Sequence, residues 1–198
     1  MADTTTWTID PAHSSVEFAV KHMMFTTVRG RFKTFFGTVY VDEASPGKSR
    51  VEVEIDASSL DTGVADRDAH LRSADFLDVE HHPKIRFRST NVSGAHRKPG
   101  DHFRVSGDLE IRGTSLPVEL DVTFEGVGQD PWGKQRAGFA AKTEIDRQQW
   151  GLRWNQALET GGVLVGQKVR IEIEAQAVKA ESQPTADMAS TGTARGNA

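Results

Sequence analysis

The sequence predicts an all-β protein, an antiparallel up-and-down β-barrel with a short helical insertion. Three observations predict it. Apolar residues alternate with polar ones over many separate runs, which is the signature of strands with one dry and one wet face. Glycine- and proline-bearing turn signals separate those runs. Segments with helical periodicity are scarce.

The strands read in order. Val16, Phe18 and Val20 alternate with Glu17, Ala19 and Lys21. From Val28 the apolar set is Val28 and Phe32, then Phe35 and Phe36 together, then Val39 and Val41. The face flips there, and a bulge or bend near Gly37 accounts for it. Val51, Val53 and Ile55 follow, then Ile85 and Phe87. Phe103, Val105, Leu109 and Ile111 form the next run, and Leu116, Val118, Leu120, Val122 and Phe124 the one after it. Val169, Ile171 and Ile173 close the series. Turns are expected at Ser45–Lys48, Lys98–Asp101 and Arg112–Ser115. One helix is expected over about Gly63–Ala74, capped by Asp61 or Thr62. A second short piece is expected over Ala74–Val79 with Ser73 as cap, and a third turn over Asp146–Trp150. Strands of this number and length bury their dry faces in a sandwich or a barrel, and hairpin connections with long strands favour the barrel. Eight strands enclose an interior just large enough for side chains or one small ligand.

Composition sets the outer limits. The chain of 198 residues has the size of a single domain with a real core. It contains no cysteine, which excludes disulfides, thiol nucleophiles and thiolate metal sites. The 24 Lys and Arg against 28 Asp and Glu give a formal charge of −4, which speaks against nucleic acid as a partner. No run approaches the length of a membrane-spanning helix, so any membrane contact is expected to be transient. Residues 1–5 are expected to be flexible and 180–198 to form a disordered tail poor in large apolar residues. The N-terminus carries neither a basic stretch nor an apolar one, so the expected location is cytoplasmic.

Catalytic motifs are missing. There is no Gly-x-Ser-x-Gly elbow, phosphate loop or dinucleotide fingerprint. His70, His81 and His82 lack the spacings of helical or hairpin metal sites, and no metal or cofactor is expected. Asp66, Asp68 and His70 read as an exposed, ion-paired helix face. As an alternative, Asp66 with His70, or His22, could serve an enzyme as acid and base. Lys21, Arg29 and Arg31 bracket a loop that includes an apolar patch, Met23, Met24 and Phe25. Those cations could hold an anionic head group. The aromatics Phe18, Phe32, Phe36, Phe87, Phe103 and Phe139 fall on dry faces, where they either fill a core or line a pocket.

Four stretches carry a resemblance to a known family. They are Thr6–Gly37, with Lys21-His22 and Val28–Phe32; Arg67–Ser89, with an Asp-Phe-Leu-Asp before a proline; Gly107–Gly126; and Ile145–Gly151. Together they resemble the YceI-like family of polyisoprenoid-binding proteins, over a domain spanning 6–179. The resemblance implies a lipocalin-like barrel with a long apolar tunnel. It implies a polyprenyl chain, an isoprenoid quinone or a polyprenyl phosphate as ligand, and homodimers as a state. Many members carry a secretory signal, and the N-terminus here does not resemble one.

The expectation is therefore a non-enzymatic carrier or store that binds an isoprenoid lipid. Its expected tunnel lining is Phe18, Val20, Phe32, Phe36, Val53, Phe87, Val105, Leu109, Leu120, Val122 and Phe139. Lys21, His22, Arg29 and Trp154 are expected at the mouth. The rivals are an enzyme acting on a small apolar or lipid substrate, and a solid-barrel interaction module without ligand.

Overall fold

The computed structural model describes residues 4–94, 98–159 and 161–180. These residues form an 11-stranded antiparallel sheet that closes on itself. The strands are β1 (Thr4–Ile9), β2 (Ser15–His22), β3 (Thr26–Phe32), β4 (Phe35–Asp42), β5 (Arg50–Asp56) and β6 (Leu60–Asp61). They continue as β7 (Lys84–Ser93), β8 (His102–Ile111), β9 (Thr114–Gln129), β10 (Gln135–Asp146) and β11 (Val165–Lys179). Closure comes from β11, which pairs β1 through Trp7–Lys179 and Ile9–Ala177 and pairs β2 through Val16–Ile173. Three staves of the barrel are each made of two strands in line, β1 with β2, β3 with β4, and β5 with β6. The sheet is therefore an eight-stranded, up-and-down barrel.

The phase change expected near Gly37 lies earlier, at Lys33 and Thr34 between β3 and β4. There the chain turns toward the neighbouring stave. The N–H of Lys33 donates to the Ser59 carbonyl, and that of Asp56 donates to the Thr34 carbonyl. Gly37 serves packing instead. A Cβ on it would stand 2.5 Å from Ile9 Cδ1, so the glycine makes room for that side chain.

The only α-helix among the described residues, α1 (Ala65–Arg72), is shorter than expected and has no side-chain cap from Val64 at its start. Its entry is held from inside. The buried Asp68 carboxylate accepts from the Thr62 backbone N–H and hydroxyl, and Arg67 donates back to the Thr62 carbonyl. The piece expected over Ala74–Val79 is a run of turns rather than a helix. Its N–H groups bond singly to Ser73, Leu71 and Arg72 instead of forming a ladder. The third piece is present as a 3-10 helix, Arg147–Trp150, with Asp146 accepting from the Gln148 N–H.

At the N-terminus, Thr4 and Thr5 belong to β1, opposite Asp42 and Val41, while residues 1–3 lie outside the described residues. Ala180 still donates its N–H to the Thr6 carbonyl. The remainder of the expected tail, 181–198, lies outside the described residues.

Candidate functional site

The inward faces of the strands do not fill the barrel. Phe87, Val105, Leu109 and Ile111 are buried, yet Val53, Leu120, Val169 and Ile171 point inward and stay only half-buried. No large side chain among the described residues is completely buried. The space between them is a cavity of about 310 Å³ with an almost wholly apolar wall. From Phe103 to Ile111 along β8, at about 3.4 Å per residue, that wall runs about 27 Å. The volume lies within the range of small-molecule sites.

All the expected lining residues except Phe36 lie on this wall. Phe36 is 61 % exposed and faces outward, and Phe35, at 4 %, takes the inward position. The break at Lys33 and Thr34 resets the alternation, so the first residue of β4 points in and the second points out.

The end of the barrel beside α1 is closed. Phe76 and Leu77 from the turns after α1, Trp150 from the 3-10 helix, and Leu152 border the lumen there. Trp150 is anchored by its indole N–H, which donates to the Leu109 carbonyl at 2.9 Å. Arg147 is 4 % exposed, lies over the Phe76 ring and donates hydrogen bonds to backbone only. Its Nε donates to the Gly166 carbonyl (2.9 Å), its Nη2 to Val165 and its Nη1 to Trp154 and Leu152. Burial pulls its pKa down and the nearby Asp146 opposes that, but a guanidinium stays charged throughout the ordinary pH range. Two further arginines work in the same way. Arg72 donates to the carbonyls of Ser58 and Leu60, and Arg112 to those of Phe76 and Gly151. The segment after Trp150 has little regular structure, and these bonds fix it together with Asn155, whose side-chain amide bonds both the N–H and the carbonyl of Val165.

Arg147 borders the lumen at this end and Thr143 borders it from β10, and the other polar residues that border it lie elsewhere. Ser49 and Arg50 border it at the opposite end. Ser14, Ser15, Glu17 and Glu174 border it at the side, beside the corner between β1 and β2. The wall has a seam at that corner. Between the Thr8–Thr38 pair and the Val16–Phe32 pair, no ladder pair joins the two adjacent staves. Ile9, Val16 and Phe35 seal the gap by packing together against Phe32 and Val39.

This arrangement corrects the expected mouth. Lys21, His22, Arg29 and Trp154 do not border the lumen. Lys21 and Arg29 are exposed beside inward-facing neighbours. His22 pairs in register with Thr26 and Val165 at the closed end. Trp154 packs outside the lumen wall, its ring centroid 4.6 Å from that of His70 and 5.4 Å from that of Phe76. The acid–base alternative does not assemble either. Asp66 is exposed, and His70 Nε2 meets Asp75 at 2.9 Å instead, with the pair outside the lumen. Among the described residues, no three His, Asp or Glu stand close enough to hold a metal ion.

The comparisons with known proteins agree with this geometry. A YceI-like domain family model matches residues 7–177. A UPF0312 protein of Pectobacterium atrosepticum is 44% identical over 133 residues, 67% of each chain. Protein YceI of Escherichia coli O157:H7 is 40% identical over 141 residues, 71% of this chain and 72% of its own. Among solved structures, BcnA of Burkholderia cenocepacia superposes with a TM-score of 0.71 at 24% identity, covering 85% of this chain and 98% of its own. A polyisoprenoid-binding domain from Saccharophagus degradans gives 0.66 at 14% identity, covering 88% and 98%. At those identities the two structures speak for the fold.

Proposed function

The chain belongs to the YceI-like domain family, and from that premise we propose that it binds an isoprenoid lipid in its lumen, as a carrier or store and without chemistry. The observation that carries this reading is the cavity of about 310 Å³ with its apolar wall. A void costs roughly 24 cal/mol per Å³ in lost contacts, so left empty it would forfeit on the order of 7 kcal/mol. That is comparable to the whole stability of a domain. Water recovers little of the loss, because the almost wholly apolar wall offers it few hydrogen-bond partners. A hydrocarbon chain does recover it, at roughly 0.8 kcal/mol per buried CH₂. The name of the Saccharophagus domain points to the same ligand class. Chain length would be read by the distance from the openings to the closed end, and the head group would rest near Ser49 and Arg50 or at the seam.

Organic extraction of natively purified protein, followed by mass spectrometry, tests the reading. The expected result is a prenyl lipid near one per chain, and a Leu120→Trp variant that narrows the lumen should carry less of it while remaining folded. A clean extract from the wild type, repeated after incubation with isoprenoid quinones and polyprenyl phosphates, would sink it in favour of an unliganded module.

A further inference from the structure

The β2–β3 hairpin ends in three apolar residues that the lumen does not use. Phe25 is 80 % exposed, Met24 60 % and Met23 37 %. Scattered apolar residues on a surface need no explanation, but three in a row at a hairpin tip form a protruding patch. The turn is closed by the Phe25 N–H donating to the His22 carbonyl. Its two central residues, Met23 and Met24, have φ of 50° and 62°. That left-handed region suits asparagine and glycine, which hairpins ordinarily place there. Two methionines therefore hold the turn at a cost in local stability, and their side chains return nothing to the core.

The surface behind the tip is cationic. Arg29 on β3 and Arg170 on β11 flank Ala19 of β2 in register. Lys21 lies on the same face one step nearer the tip, and Lys168 one step along β11 from Arg170. All four are exposed, and none enters a salt bridge among the described residues. Glu144 and Asp146 on β10, opposite Arg170 and Lys168 in register, close the row on its far side. In a chain with a net charge of −4, this is a local reversal of sign.

We propose that the β2–β3 hairpin tip docks on an anionic lipid bilayer, with Met24 and Phe25 entering the interface and Lys21, Arg29, Lys168 and Arg170 resting on the phosphates. Apolar side chains that enter the head-group boundary beside cations are the recurring pattern of reversible surface binding. The chemistry fits a bilayer better than a second copy, whose identical patch would bring like charges together. Docking stands independently of what the lumen holds. It also has a consequence for loading, since the hairpin that meets the membrane borders the seam at its base.

Flotation with vesicles tests it, using full-length protein with phosphatidylcholine alone and with a phosphatidylcholine–phosphatidylglycerol mixture. Wild type should float with the mixed vesicles, bind phosphatidylcholine far less, and detach as salt is raised. Met24→Ser with Phe25→Ser should weaken binding at least about tenfold, as expected for withdrawing one large apolar side chain. Lys21→Glu with Arg29→Glu should abolish the preference for the anionic mixture. Met23→Asn with Met24→Gly should raise the thermal midpoint and still weaken docking, which a merely structural turn would not do. Trp132→Ser, on the β9–β10 turn at the far end, should change nothing. Wild type that stays with neither vesicle, or a serine variant that floats like wild type, overturns the proposal. So does a concentration-dependent dimer that the serine variant abolishes, if vesicles bind neither form.

Discussion

At the α1 end the barrel is tied shut by polar bonds, whereas at the seam beside Ile9 and Val16 it is held by side-chain contact alone. The closed end directs Arg147, Arg72 and Arg112 at backbone carbonyls and fixes Val165 with Asn155. The seam has no ladder pair between its staves and relies on Ile9, Val16 and Phe35. Polar bonds are directional and fail abruptly, but apolar contacts slide and reform. A container for a greasy chain needs both, a floor that does not move and a wall that can part.

Removing the floor should have the largest effect. Arg147→Met keeps the bulk of the side chain and leaves the carbonyls of Leu152, Trp154, Val165 and Gly166 without their donor. The expected loss is about 3–5 kcal/mol, the range for breaking a buried charged network. Urea unfolding monitored by tryptophan fluorescence measures it. Arg147→Lys should recover only part, because one ammonium cannot span carbonyls on two sides. A cost below about 1 kcal/mol would mean that the closed end is not built on this arginine, and the contrast with the seam would dissolve.

The seam should respond next, and only from its inner face. Phe35→Ala removes a buried aromatic and should cost about 3 kcal/mol. Phe36→Ala, one residue on, removes an exposed one and should stay within about 0.5 kcal/mol. Equal costs for the pair would show that the strand does not turn at Lys33 and Thr34 as described.

These two phenylalanines mark where the sequence ceased to be legible. The wall itself was legible, because a period of two assigns each residue to a face without knowledge of the fold, and Phe18 to Phe139 fell on the lumen accordingly. Phe35-Phe36 sits at a break in that period, where either residue fits either phase. Only the bonds to Ser59 and Asp56 on the neighbouring stave decide it. The mouth failed for a related reason. Cations at strand ends mark a barrel end, but which end is closed depends on where α1 and the segment after Trp150 lie. Arg147 lies within the Ile145–Gly151 stretch, yet nothing in the sequence around it marks its role. Two of the carbonyls it binds, Val165 and Gly166, lie 18 and 19 residues along the chain, and no local pattern announces such partners.

Acid should separate the two regions by a smaller margin. The β1–β2 corner next to the seam is fastened by Asp10. Its carboxylate accepts from Arg136 at 2.7 Å and meets His13 at 2.8 Å, while Arg136 also donates to Asp130. The Arg136 guanidinium, seconded by His13, holds the Asp10 pKa at about 2, below its ordinary 3.8. A carboxylate depressed in the folded state stabilises the protein above its unfolded pKa. That stability declines as the pH falls from about 4 toward 2, where both states become protonated. The Asp10 side chain is 20 % exposed at the barrel surface, so partial screening leaves a contribution of about 1–2 kcal/mol. The floor has no such dependence, since guanidinium-to-carbonyl bonds do not titrate in that window. Between pH 5 and 2.5, hydrogen exchange relative to its intrinsic rate at each pH should therefore rise around Asp10–Ser15 before it rises around Arg147–Val165. Asp10→Asn should abolish that early rise by making the corner loose at every pH. Simultaneous opening of both regions would mean that the corner is not a separate weak point, and that the seam parts only when the whole barrel does.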